Sequence, residues 1–295
     1  MTGREVHFDS GGVRCAGWHF AGSGSAPRPA VVMAHGFAGT ADSGLEPFAE
    51  RLREAGLDVL AFDYRGFGRS EGSPRQRIGI DDQLADYRAA LATAAALPGV
   101  DASRLVLWGA SLSGGHVIRL AAGRTDIAAV IAMTPMTNPL ATGAKVIRQS
   151  GLAGALRATG LGVGSRIAAA AGRPGLLMPV VSEPGGGGAL ALDGCLTSYL
   201  AIAGPSWRNE IDASIGIELS RISTARYARA LRTPLLVQIA DFDRLVPAHA
   251  AARTAELGRA IVHRYPCDHF EVWPGNDWFE HAVADQLRFL RRVLG

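Results

Sequence analysis

Leu105-Val106-Leu107-Trp108-Gly109-Ala110-Ser111-Leu112-Ser113-Gly114-Gly115-His116 is the stretch that decides how this chain folds. Leu105–Trp108 reads as a buried strand and Ser113–Ala122 as a helix, with Ser111 at the tip of the turn between them. A serine on so sharp a strand-to-helix turn is held in a strained conformation, with its hydroxyl pushed clear of the sheet. Strand and helix pack tightly there, so small residues are needed two places to either side. Gly109 meets that need, but Ser113 stands at the other position, giving Gly-x-Ser-x-Ser-Gly-Gly with the glycines displaced by one. Taken alone, the stretch also reads as a Gly/Ser-rich turn that caps a helix.

Strands and helices alternate on both sides of this turn. Ala30–Ala34, Asp58–Phe62, Ala128–Met133, Leu235–Ala240 and Ala260–Tyr265 read as strands. Glu46–Ala55, Asp81–Leu97 and Ala248–Leu257 read as helices, and a closing helix sets Phe279, Val283, Leu287 and Leu290 on one stripe. Strands separated by helices of ten or more residues pair in parallel, which predicts an α/β fold with a mostly parallel, doubly wound sheet. Between Pro135 and Thr233 the alternation fails, and this Gly- and Ala-rich stretch reads as short helices and loops. The expected division is a core of residues 1–136 and 233–295, with 137–232 as an inserted, mainly helical cap. Such a cap would sit over the carboxyl ends of the strands, where α/β ligands bind; a mobile surface excursion is the alternative. Leu176, Leu177 and Met178 are its candidate lining for an apolar acyl chain. Each buried methylene contributes about 0.8 kcal/mol, which would favour longer acyl groups over acetyl.

Composition narrows the classes. The chain has 295 residues, 48% hydrophobic and 19% charged, enough to bury a sizeable core. Its 30 basic and 27 acidic residues leave a net charge of +3 spread along the chain, which argues against a nucleic-acid surface. Lys145 is the sole lysine. Cys15, Cys195 and Cys267 are too few and scattered for a disulfide framework or a structural zinc site, and they suit a reducing cytoplasm. No apolar leader opens the chain, and the greasiest stretch, Leu152 to Val181, is broken by arginines and glycines. No membrane span is expected.

A serine hydroxyl needs a base to take its proton, and the base needs an orienting carboxylate. On this architecture the order is serine, acid, histidine. The strand at Leu235–Ala240 ends in a loop with Asp241 and Asp243, and Tyr265-Pro266-Cys267-Asp268-His269-Phe270 puts a histidine just past the final strand. Asp243 and His269 therefore fall at strand ends on the side that carries Ser111. His116, inside the helix after the turn, and His281, on the polar side of the last helix, read as structural or solvated. Cys267 and Asp268 lack the complementary cluster that a metal would need, so no metal is expected. Met33-Ala34-His35-Gly36-Phe37 follows the first strong strand. An acyl tetrahedral intermediate wants two backbone N–H donors, for which Leu112 and Phe37 are the candidates. The glycines of Asp63–Ser70 match neither a dinucleotide fingerprint nor a P-loop, so this loop reads as a wall of the site.

With these motifs in order, the sequence resembles the serine α/β-hydrolases. His35-Gly36-Phe37, Asp63–Ser70, Gly109–Gly115, Asp243 with Val246-Pro247, and His269-Phe270 carry the resemblance. More narrowly it looks like the branch of Xaa-Pro dipeptidyl-peptidase catalytic domains and fungal polyketide transferases, through Ser73-Pro74-Arg75-Gln76, Trp108–Val117 and Trp207-Arg208-Asn209-Glu210. The family pattern favours Asp243 over Asp241 as the acid. Ser113 departs from the strict Gly-x-Ser-x-Gly of lipases.

The expected function is cleavage of an ester or thioester through an acyl-enzyme, with a small-molecule substrate and no cofactor. Ser111 would be the nucleophile, His269 the base, Asp243 its orienter, and Phe37 and Leu112 the oxyanion donors. Three rivals stand beside it: an acyltransferase with an alcohol or amine acceptor, an exopeptidase and a non-catalytic binding module. The exopeptidase would need an anchor such as Glu183 with Glu210. A homodimer is compatible with the sequence.

Overall fold

The computed structural model describes residues 1–295, except the side chains of Val146, Ile147, Gln149, Ser150, Leu152 and Ala153. An edge hairpin comes first, β1 (Arg4–Ser10) and β2 (Val13–Phe20). Then follow β3 (Arg28–Ala34), α1 (Glu46–Glu54), β4 (Asp58–Phe62), α2 (Ile80–Ala95), β5 (Val100–Ala110), α3 (Leu112–Ala121) and β6 (Ile127–Met133). Next come α4 (Pro139–Ala170), β7 (Leu177–Met178), α5 (Cys195–Ile202), β8 (Ile211–Asp212), α6 (Ile215–Leu219) and α7 (Ala225–Ala230). The chain closes with β9 (Leu235–Ala240), α8 (Ala248–Leu257), β10 (Ile261–Tyr265) and α9 (Phe279–Leu294).

Alternate residues of the central strands feed two separate cores. Val31 and Met33 of β3, with Val59 and Ala61 of β4, face a cluster shared with Phe48 of α1 and Val283 and Leu290 of α9. Val32 and Leu60 face the opposite cluster, shared with Tyr87 of α2, Val117 of α3 and Ala251 of α8. Burial on both faces is why these strands read as unbroken apolar runs. The eight-stranded sheet is ordered β1-β2-β4-β3-β5-β6-β9-β10. From β4 to β10 neighbouring strands pair in parallel, while β1 with β2 and β2 with β4 pair antiparallel. The α/β prediction holds.

One expectation needs correction. Pro139–Ala170 is helical over 32 residues, where short pieces were expected, and it breaks only at Gly151 (φ 72°, ψ 170°). Asn138 starts it by accepting the amides of Leu140 and Ala141 at 3.0 and 3.2 Å, so a good cap offsets the glycines within. In α9, Leu287 is partly buried and packs against the cluster of Phe279, Val283 and Leu290 as expected, and Gln286 is buried beside it. Its amide is satisfied there: Trp108 Nε1–H donates to Gln286 Oε1 (3.0 Å), and Gln286 Nε2 donates to Gln238 Oε1 (2.7 Å). Gln238 in turn donates to Tyr265 Oη (2.7 Å) and to the Ala282 carbonyl (2.9 Å). A buried amide with its partners made costs little, whereas one left unpaired costs about 1–3 kcal/mol. Among the described residues, no helix is long and apolar enough to cross a membrane.

Candidate active site

Ser111 sits between β5 and α3 with φ 53° and ψ −115°, a region that residues with a side chain rarely enter. Such a conformation costs about 1–3 kcal/mol and persists only when its surroundings impose it. Here they do. The Ser111 amide donates to the Met133 carbonyl (2.8 Å), and the Ser111 carbonyl accepts the Met136 amide (2.8 Å). A Cβ on Gly109 would lie 2.3 Å from the Ser113 carbonyl oxygen, so only glycine fits behind the turn. Leu112 through Val117 are buried, while Ser111 is partly open.

The loop after β3 comes right up to this serine. A Cβ on Gly36 would lie 2.8 Å from Ser111 Cβ, so the missing side chain is what permits the approach. Leu112 opens α3, and its N–H is among the first four of a helix, which have no intrahelical acceptor. Phe37 is anchored through its carbonyl, which accepts the Tyr199 hydroxyl of α5 at 2.6 Å. The Tyr199 ring also lies 5.6 Å from Phe270, the neighbour of His269. One tyrosine of α5 thus touches the loops after β3 and β10 together.

Of the two carboxylates after β9, Asp243 is the one that meets the histidine. His269 Nδ1–H donates to Asp243 Oδ2 at 2.6 Å, with both side chains buried. Asp243 Oδ1 accepts the amides of Leu245 (2.8 Å) and Val246 (2.6 Å), which fixes the carboxylate. Asp241 turns outward to Arg264, 2.6 Å away. Burial works against a charged His269, but Asp243, with help from Asp268, outweighs it and holds the imidazole above its ordinary value. The positive charge of Lys145 opposes that rise. Lys145, on α4, donates through Nζ to the Asp243 carbonyl.

The other titratable groups take structural places. His116 is fully buried, donates to Gln83 Oε1 (2.9 Å), and is pushed down to about 3 by burial. His281 is exposed beside Trp278. His35 is buried 4.8 Å from Trp273 in a stack and lowered to about 4, so it stays neutral near neutral pH. Cys15, Cys195 and Cys267 are buried free thiols, each raised by desolvation to about 11 or 12, which makes them poor nucleophiles. Asp63 accepts the amides of Ala41 (2.6 Å) and Arg69 (2.8 Å), so the Asp63–Ser70 loop is braced on its own backbone. Among the described residues, no group of three or more His, Cys, Asp or Glu side chains could hold a metal.

Of the three residues expected to line an apolar pocket, Leu176 and Leu177 are 43% and 54% exposed, whereas Met178, next to Leu177 on β7, is partly buried and packs against the core. A cavity of about 430 Å³ does lie between α2 and α4, but it is lined by charged residues, among them Asp81, Arg166, Glu218 and Arg221. None of the five candidate site residues lines it. Glu183 and Glu210 are both exposed, and Asn209, beside Glu210, is bonded instead to the Val181 backbone. Tyr199 and Lys145 had no motif to announce them; being the sole lysine was the faint signal for the latter.

Residues 25–161 match the family model described as serine aminopeptidase, S33. The quorum-quenching protein AidA of Acinetobacter baumannii is 32% identical over 98% of this chain and 95% of its own. The polyketide transferase grgF of a Penicillium species is 28% identical over 95% of this chain and 93% of its own. The crystal structure of that α/β hydrolase superposes with a TM-score of 0.82 at 22% identity, covering 99% of both chains. The thiohydrolase aneE of Aspergillus aculeatus is 37% identical over 38% of this chain and 36% of its own.

Proposed function

The chain belongs to the α/β-hydrolase family, and from that premise we propose that it cleaves an ester or thioester through an acyl-enzyme on Ser111. The observation that carries this reading is the 2.6 Å bond from His269 to Asp243, which follow β10 and β9 of the same sheet whose strand β5 ends at a serine held at φ 53°. Ser111 Oγ attacks the carbonyl carbon while His269 Nε2 takes its proton. Asp243 stabilises the imidazolium and keeps its tautomer. The carbonyl electron pair moves onto oxygen, where the N–H groups of Phe37 and Leu112 receive it. Collapse of this intermediate expels the alcohol or thiol, which leaves with the proton from His269. Water, deprotonated by the same imidazole, then attacks the acyl-enzyme and releases the acid. Residues 137–232 act as a cap over this chemistry, and no metal or organic cofactor takes part.

A second reading is transfer of the acyl group to an alcohol or amine, favoured by the relative named as a polyketide transferase. It uses the same residues and differs only in what enters the last step. Intact mass after incubation with an active-site phosphonate should rise by one adduct at Ser111. A panel of p-nitrophenyl esters and acyl thioesters should then turn over. Titrating a nucleophilic acceptor separates the two readings: free acid marks the hydrolase, and near-complete partition to transferred product at low acceptor marks the transferase. No adduct and no turnover would end both.

A further inference from the structure

Gly36 brings the backbone against Ser111, but a glycine peptide turns freely, so something else must set the direction of the N–H that follows it. Two bonds do so. The Phe37 carbonyl accepts Tyr199 Oη–H at 2.6 Å, and the His35 carbonyl accepts the hydroxyl of Ser113. The Phe37 amide lies between these two fixed carbonyls.

We propose that Ser113 is a positioning residue for the oxyanion loop, its hydroxyl fixing the His35–Gly36–Phe37 backbone so that the Phe37 N–H faces the bond under attack. The proposal rests on the serine reading above. Ser113 is fully buried, and Tyr64 Oη lies 2.7 Å from its Oγ. Bond directions are forced. A carbonyl only accepts, so Ser113 spends its one proton on His35; Tyr64 must then donate to Ser113. Burial holds the Tyr64 phenol well above its ordinary value, so it stays protonated and able to donate. The chain Tyr64 to Ser113 to His35 thus ties the loops after β4 and β3 to the first turn of α3. Glycine at 113 would suffice for packing but would leave the buried Tyr64 hydroxyl without this acceptor and the loop without this anchor. That gives the departure from Gly-x-Ser-x-Gly a purpose.

The test compares Ser113→Cys, which keeps the shape but donates weakly, with Ser113→Ala. The readouts are kcat, KM and the affinity for a trifluoromethyl ketone, whose tetrahedral adduct loads the oxyanion donors. Loss of one such donor lowers kcat about 10²–10³-fold, so misplacing one should cost about 10-fold in Ser113→Cys and more in Ser113→Ala. KM should stay within about two-fold, and ketone affinity should fall in step with kcat. Ser113→Cys with wild-type kcat and ketone affinity, or a loss confined to KM, overturns the proposal. If Ser113→Ala does not fold, the Ser113→Cys result decides. A wild-type protein that takes no phosphonate at Ser111 overturns the serine reading itself, and this inference with it.

Discussion

The turn that carries Ser111 and the helix α4 both reach the carboxyl ends of the sheet, and they are held there by very different means. Around Ser111 the packing excludes even a methyl group behind Gly109, and backbone bonds from Met133 and Met136 hold the serine on both sides. Helix α4 carries Leu156 and Ile167 at 64% and 65% exposure, and it reaches the loop of Asp243 through the ammonium of Lys145. Dense contact fixes geometry, while sparse contact leaves room to adjust. Chemistry should therefore depend steeply on the turn of Ser111 with Asp243 and His269, and only mildly on α4.

Ser111→Ala tests the steep side. Removing the nucleophile of a serine hydrolase costs about 10⁶-fold in kcat, and the variant should unfold at or above the wild-type temperature because the strained turn loses nothing it packs on. Phosphonate labelling that persists, or that maps to Ser113, would refute the assignment. Asp243→Asn comes next, at about 10⁴-fold through loss of the correct imidazole tautomer. Asp241→Asn should change the rate by less than about three-fold, since that carboxylate pairs with an exposed arginine. Equal losses in two folded proteins would erase the distinction between the carboxylates.

Lys145→Met probes the seam between the two regions. The base works when neutral and its pKa is raised, so kcat/KM should fall as pH drops through a midpoint above the 6.5 of a free imidazole. Around His269, Asp243 and Asp268 favour the charged form and Lys145 opposes it, while His35, itself neutral, is lowered by burial and in part by the charge on His269. Deleting the lysine charge should move the acid limb upward by about half a pH unit, and Lys145→Arg should restore it. A shift downward, or none, would detach α4 from the base. The smallest effect belongs to Leu177→Ser, which should change stability by less than about 0.5 kcal/mol and leave acyl-chain preference unchanged. A marked fall in preference for long chains would return Leu177 to the acyl pocket.

The same contrast explains what the sequence disclosed. Strands buried on both faces write themselves as apolar runs, so Asp58–Phe62 and Leu235–Ala240 are legible to the residue. Ser111, Asp243 and His269 each stand just past such a run, which is why order along the chain was enough to nominate them. The edge hairpin was not legible: β1 has one side in water, and its Arg-Glu-Val-His-Phe-Asp-Ser alternates without a long apolar stretch. Helix α4 hid behind its glycines and behind a surface that is apolar yet exposed. For the same reason Leu176 and Leu177 looked like pocket lining, since hydrophobicity does not say which way a two-stranded ribbon faces. The Ser113 and Tyr199 anchors are contacts between distant loops, and no local pattern encodes them.

Gln286 deserves a last consequence. Trp108 lies three residues before Ser111 and Gln238 five before Asp243, and the Gln286 side chain bonds to both from the far end of the chain. The strands β5 and β9, which lead to Ser111 and Asp243, are thus tied to each other by one buried amide. Their relative height is then set within the buried core, where local opening is less favourable than in exposed loops.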